Sequence, residues 1–159
     1  MSDLPSYPQD AAEREAAQGP PEAAVAYSGW WRRVGAYILD SLIIFVPLVV
    51  LIAVAVAVDV WAIVLLGYLG TLVVPFVYFT YFHGGAGGQT PGKRMLGIRV
   101  VSDETGQTIG YGRAFGRYAI TVVFSLFFIP LLLDYLWPLW DTKNQALHDK
   151  VVSSVVVRA

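Results

Sequence analysis

Two carboxylates, Asp40 and Asp134, stand inside stretches that are otherwise nearly free of charge. An acid in that setting costs roughly 2.5–3.5 kcal/mol to insert into a bilayer, so it faces a protein interior or a water-filled cavity. A carboxylate held there can bind a proton or a sodium ion but not both at once, the minimum requirement for exchange chemistry. Arg33 precedes Asp40 by two helical turns in "RRVGAYILD" and shares its face. Helical side chains lean toward the helix N-terminus. Arg33 therefore points away from Asp40, and each needs a partner on another segment.

Other chemistries find little support in the sequence. The chain has no cysteine, which removes thiolate nucleophiles, disulfides and Cys-based zinc sites. His83 and His148 are far apart and lack the acidic neighbours of a metal site. Gly87-x4-Gly92-Lys93 approaches a phosphate-binding loop, but Arg94 stands where that motif needs Ser or Thr. An apolar helix, not a buried strand, precedes it. The better reading is that the glycines and Pro91 turn the chain off the membrane, with Lys93 and Arg94 touching anionic headgroups. With no nucleophile–base pair and no cofactor loop, no enzymatic activity, cofactor or nucleic-acid partner is expected.

The elements that must position these groups follow from composition. Hydrophobic residues make up 56% and charged residues 14%, against about a quarter charged in soluble domains. Residues 1–27 are acidic and rich in Pro and Ala, too polar to bury a core, and are expected to be a disordered tail. Two apolar runs follow, 34–58 and 60–82, each long enough for the ~20 residues a membrane crossing needs. Asp59 is the one charge between them, so they read as a tight transmembrane hairpin. Arg32 and Arg33 precede the first run, and Lys93, Arg94, Arg99, Arg113 and Arg117 follow the second. Both hairpin ends are therefore expected on the cytoplasmic side. A third apolar run, 118–140, is too short for two crossings, yet Lys143, Lys150 and Arg158 lie beyond it. A bent or re-entrant segment turning near Pro130 reconciles its length with a cytoplasmic C-terminus; a single tilted span is the competing reading.

The expected architecture is thus an all-α membrane protein with a small cytoplasmic β-hairpin. "MLGIRVV" and "QTIGYG" would pair across the turn "SDETG", with "SSVVVR" available as a third strand. Polar residues recur at helical spacing on two apolar segments: Tyr68, Thr71 and Tyr78 on one, Arg117, Thr121 and Ser125 on the other. With Tyr37, Asp134 and His148 they outline a candidate polar pathway; hydrogen bonding between helices explains the same stripes equally well. Gly67 and Gly70 would let a neighbouring helix approach closely.

"RRVGAYILD", "GQTPGKRMLGIRVV" and "QALHDKVVSSVVV", in that order, resemble the RDD family, whose name denotes one arginine and two aspartates. The resemblance spans about residues 28–157 and carries the triad to Arg33, Asp40 and Asp149. It departs at "VVSSVVV", where a Gly-Thr pair is the commoner pattern. What it implies is a bacterial inner-membrane protein, linked in some members to transport, including sodium–proton antiport. The expected partners are the lipid bilayer, a small cation or proton, and further copies of the chain, because one short hairpin cannot enclose a pathway. The alternative is a non-catalytic scaffold in which the triad is structural.

Overall fold

The computed structural model describes residues 26–159. Almost all of the expected tail therefore lies outside the described residues. Its last two positions do not behave as tail: Tyr27 bridges to Val157, Arg158 N donates to Ala26 O, and Ser28 N donates to Val156 O.

Helix α1 (Trp30–Ala57, 28 residues) and helix α2 (Trp61–Gly84, 24 residues) form the hairpin. At about 1.5 Å per residue each exceeds the ~30 Å hydrocarbon thickness of a bilayer. Both are apolar enough to cross one, and most of their residues are not buried by the rest of the chain. The connection is a three-residue turn in which Asp59 adopts φ 58 and accepts a hydrogen bond from Trp61 Nε1. Aspartate tolerates this left-handed region better than bulkier residues. The two helices close on each other at Gly67, where a Cβ would come within 2.5 Å of Ile52 Cγ1.

The chain leaves α2 through Gly85–Gln89 and enters a single-turn helix, α3 (Pro91–Met95). Thr90 caps it by accepting from Lys93 N, and Pro91 occupies the first helical position, where no N–H is required. Strand β1 (Ile98–Ser102) follows. Helix α4 (Gly110–Ser125) then runs against α2, with Phe76 packed edge-on against Phe115 and Tyr118. After a break at Leu126–Phe127 come α5 (Phe128–Leu136) and a 3₁₀ turn, Trp137–Leu139. The chain ends with α6 (Leu147–Val151) and β2 (Ser154–Arg158).

The sheet corrects the expected hairpin. β1 pairs antiparallel with β2, Ile98 opposite Arg158 and Ser102 opposite Ser154. "QTIGYG" does not return as a strand. Gln107 O accepts from Ser102 N to close a tight turn, and Gly110, at φ 73, opens α4 instead. The pairing follows burial on both faces: Ile98, Val100 and Val156 join Ala36, Ile109 and Ala114 on one side. Val101, Val155 and Val157 meet Tyr27 on the other. "QTIGYG" could not supply such a two-faced apolar strand.

The third apolar run bends, but not at Pro130. The turn falls at Leu126–Phe127, with Phe127 extended at φ −128 and ψ 128. Pro130 sits in the first turn of α5, where a missing N–H breaks no helical bond. The run doubles back: Arg117 of α4 contacts Asp149 while Asp134 of α5 contacts His148.

Candidate functional site

Asp40 lies mid-face on α1 with no solvent exposure. Its Oδ1 accepts from Tyr78 Oη at 2.8 Å and from Gly92 N at 2.8 Å, and its Oδ2 accepts from Thr90 Oγ1 at 2.5 Å. One carboxylate thus ties α1 to α2 and to the capped turn of α3. The backbone must come very close for this. A Cβ on Gly92 would stand 2.5 Å from Ala36 O and 2.8 Å from Asp40 Oδ1. The glycine of "TPGKR" is there so that α3 can dock on Asp40.

Asp149 is the second centre, also fully buried. Oδ1 accepts from Arg117 Nε at 2.7 Å and Nη2 at 2.6 Å, and from Ser154 Oγ at 3.2 Å. Oδ2 accepts from Arg33 Nη1 at 2.6 Å and from Ala146 N at 3.1 Å, at the start of α6. Burial alone would raise this carboxyl. Arg117, His148 and Arg33 outweigh burial and hold it well below the usual carboxylate range. Arg33 and Asp40, two turns apart on one helix, have no partner in common.

A cavity of about 100 Å³ opens beside these centres. Of the expected pathway residues, Tyr37, Arg117, Thr121, Asp134 and His148 line it. Asp134 accepts from His148 N at 2.8 Å and pairs with His148 Nδ1 at 2.6 Å. Tyr68, Thr71, Tyr78 and Ser125 do not line it. Tyr68 is exposed on the hairpin's outer surface. Thr71 and Ser125 donate to carbonyls of their own helices, Tyr68 O and Val122 O, and Tyr78 is spent on Asp40. A continuous polar stripe along α2 does not form, because these side chains satisfy themselves locally or around the clamp.

The headgroup reading of Lys93 is also overturned: Lys93 is 8% exposed and lines the cavity, whereas Arg94 faces outward. Burial, reinforced by Arg117 and opposed by Asp40, pushes the Lys93 ammonium down to about 7. His83, passed over in the sequence, is buried at the end of α2 and lines the same cavity. Its Nδ1 lies 3.2 Å from Arg117 Nη1. Thr90 was missed too, although Thr followed by Pro at a helix start is a capping signal. Among the described residues no cluster of His, Asp and Glu has the arrangement of a metal site.

Residues 27–153 match the RDD family over most of the chain. The chain belongs to the RDD family. This RDD chain is also 35% identical over 74 residues to a proline-rich antigen of Mycobacterium leprae, covering 46% of this chain and 28% of that one. It is 36% identical over 76 residues to a proline-rich antigen homolog of Mycobacterium tuberculosis strain H37Rv, covering 48% and 30%. Each match thus spans less than a third of the relative's length. No solved structure matches it. The departure from the family pattern at "VVSSVVV" has a local meaning: Ser153 adopts φ 48, in the region that favours glycine. Ser154 meanwhile supplies the hydroxyl that reaches Asp149.

Proposed function

We propose that this RDD chain is an integral membrane module in which Arg33, Asp40 and Asp149 are structural. In this reading α1 and α2 cross the bilayer with both ends cytoplasmic, and α4–α5 form a re-entrant segment. The two aspartates fasten the cap of α3, β1, α6 and β2 to the base of the hairpin. The observation that carries it is Asp40, fully buried with three donors on its two oxygens and absent from the cavity wall. An exchange site must release its ion to water, and this carboxylate is shut off from solvent with donors on both of its oxygens.

A second reading, cation–proton exchange, is favoured by a separate observation: Asp134 and His148 form a cavity-lining acid–imidazole pair. One experiment divides the two. Sodium and proton flux is measured in proteoliposomes for wild type, Asp40→Asn and Asp134→Asn, alongside thermal stability in detergent. The structural reading expects no flux above protein-free vesicles. Flux in the wild type that Asp40→Asn abolishes, with stability unchanged, would sink it; flux lost in Asp134→Asn alone would establish the second reading.

A further inference from the structure

The polar groups around the cavity are unbalanced in a specific way: buried nitrogen donors are left over while the carboxylates are engaged. Arg33 spends Nη1 on Asp149, but its Nε and Nη2 are buried without a partner. Those two nitrogens form one edge of the guanidinium, the fork that binds two oxygens of an oxyanion side by side. His83 is 4% exposed and its Nε2 is likewise unpartnered. Because Arg117 Nη1 can only donate, His83 Nδ1 must accept from it, which places the proton of the neutral ring on Nε2. Lys93 lines the same space and adds an ammonium with three donors. The carboxylates nearby are engaged: Asp134 by His148, Asp149 by two arginines, and Asp40 by Tyr78, Thr90 and Gly92.

We propose that this cavity binds a phosphate group, held by the free edge of Arg33, by His83 Nε2–H and by Lys93. A buried donor left unsatisfied costs about 1–3 kcal/mol, more when charged. An occupant with acceptor oxygens on several sides satisfies the free donors of Arg33 and His83 together and gives Lys93 a counter-charge. A cavity of about 100 Å³ has room for such a group. Trp30 lines it too and donates to Tyr135 O at 2.7 Å. Trp is enriched where the bilayer meets water, so a lipid headgroup and a free phosphate can both reach this depth. The downward push on Lys93 from burial and Arg117 is what a bound anion would reverse. The inference rests on the cavity and not on the structural role of Asp40, so the two can fail separately.

The test follows melting temperature and Trp fluorescence of the full chain in neutral detergent while inorganic phosphate is titrated at constant ionic strength. Sodium chloride serves as the matched control. The same measurements are made in micelles of that detergent with and without added phosphatidylglycerol. A saturable rise in melting temperature with either phosphate source, absent with chloride, is the expected result, and the source that works identifies the ligand. Lys93→Met should weaken binding about tenfold, the equivalent of one charge-assisted hydrogen bond. His83→Asn keeps an acceptor for Arg117 while deleting the Nε2–H, and serves if the lysine variant does not fold. Chloride acting as well as phosphate, no response to either phosphate source, or unchanged affinity in both variants would each overturn the proposal.

Discussion

Replacing Asp149 by Asn separates the two buried acids by hydrogen-bond inventory alone. Each Asp149 oxygen faces a guanidinium: Arg117, beside Ser154, at Oδ1, and Arg33, beside the Ala146 N–H, at Oδ2. An asparagine must turn its NH₂ toward one of these sets. Whichever way it rotates, donor faces guanidinium, and a buried arginine loses its counter-charge. Breaking a buried pair from one side costs about 3–5 kcal/mol. At about 2–4 °C per kcal/mol for a chain of this size, the loss in melting temperature is on the order of 6–20 °C. Asp40 differs in one respect. Its Oδ2 partner is the Thr90 hydroxyl, which can also accept, so an Asn can donate there while Oδ1 keeps Tyr78 and Gly92. Asp40→Asn should therefore cost about half as much as Asp149→Asn, roughly 1.5–2.5 kcal/mol on the same scale. The assay is thermal unfolding in one detergent, followed by circular dichroism and light scattering. The triple variant Arg33→Met, Arg117→Met, Asp149→Leu should recover much of the loss, since apolar replacement of a whole buried ion group is often neutral. Equal melting temperatures for Asp149→Asn and wild type, or a larger loss for Asp40→Asn, would refute the reasoning.

Three further outcomes follow from particular side chains. Lys93 titrates near 7 when folded and near 10.5 when unfolded, so between those values the unfolded chain holds a proton that the folded one has released. Stability should rise with pH across that window by an amount on the order of 5 kcal/mol, and Lys93→Met should flatten the slope in unfolding measured from pH 7 to 10. Ser153→Gly removes a left-handed strain of about 1–2 kcal/mol at the cost of extra chain entropy. It should raise the melting temperature by roughly 1–4 °C, which a direct comparison with wild type checks. Tyr68→Phe, Thr71→Val and Ser125→Ala touch neither acid nor the cavity, so each should stay within about 0.5 kcal/mol of wild type in the same melt.

How much of this was legible in the sequence depends on the range of each interaction. The hairpin is readable because apolar length, one turn residue and a close glycine contact are all local, and Gly67 meets Ile52 where small residues on α2 predict a close approach. That Arg33 and Asp40 seek separate partners also follows from local geometry, the tilt of the Cα–Cβ bond. The partners themselves do not. Thr90 and Gly92 reach Asp40 only after the chain has left α2 and doubled back through a capped turn. β1 finds β2 across an intervening helical hairpin, where no neighbouring-strand rule applies.

The misplaced residues share a cause. Periodicity assigns a side chain to a face, but it does not say whether a hydroxyl already has an acceptor one turn away. Thr71 and Ser125 close on their own helices, and Tyr68, on the stripe of Thr71, faces outward. Lys93 errs in the opposite direction. A lysine beside an arginine after an apolar helix reads as a surface charge, yet the clamp on Asp40 rotates α3 so that Lys93 turns inward and Arg94 outward. Seating that lysine therefore depends on the neighbouring Gly92, the one residue small enough to let the turn approach. The acid in "RRVGAYILD" and the lysine in "TPGKR" are thus two ends of one packing event, and the same event turns a lysine into the cavity wall.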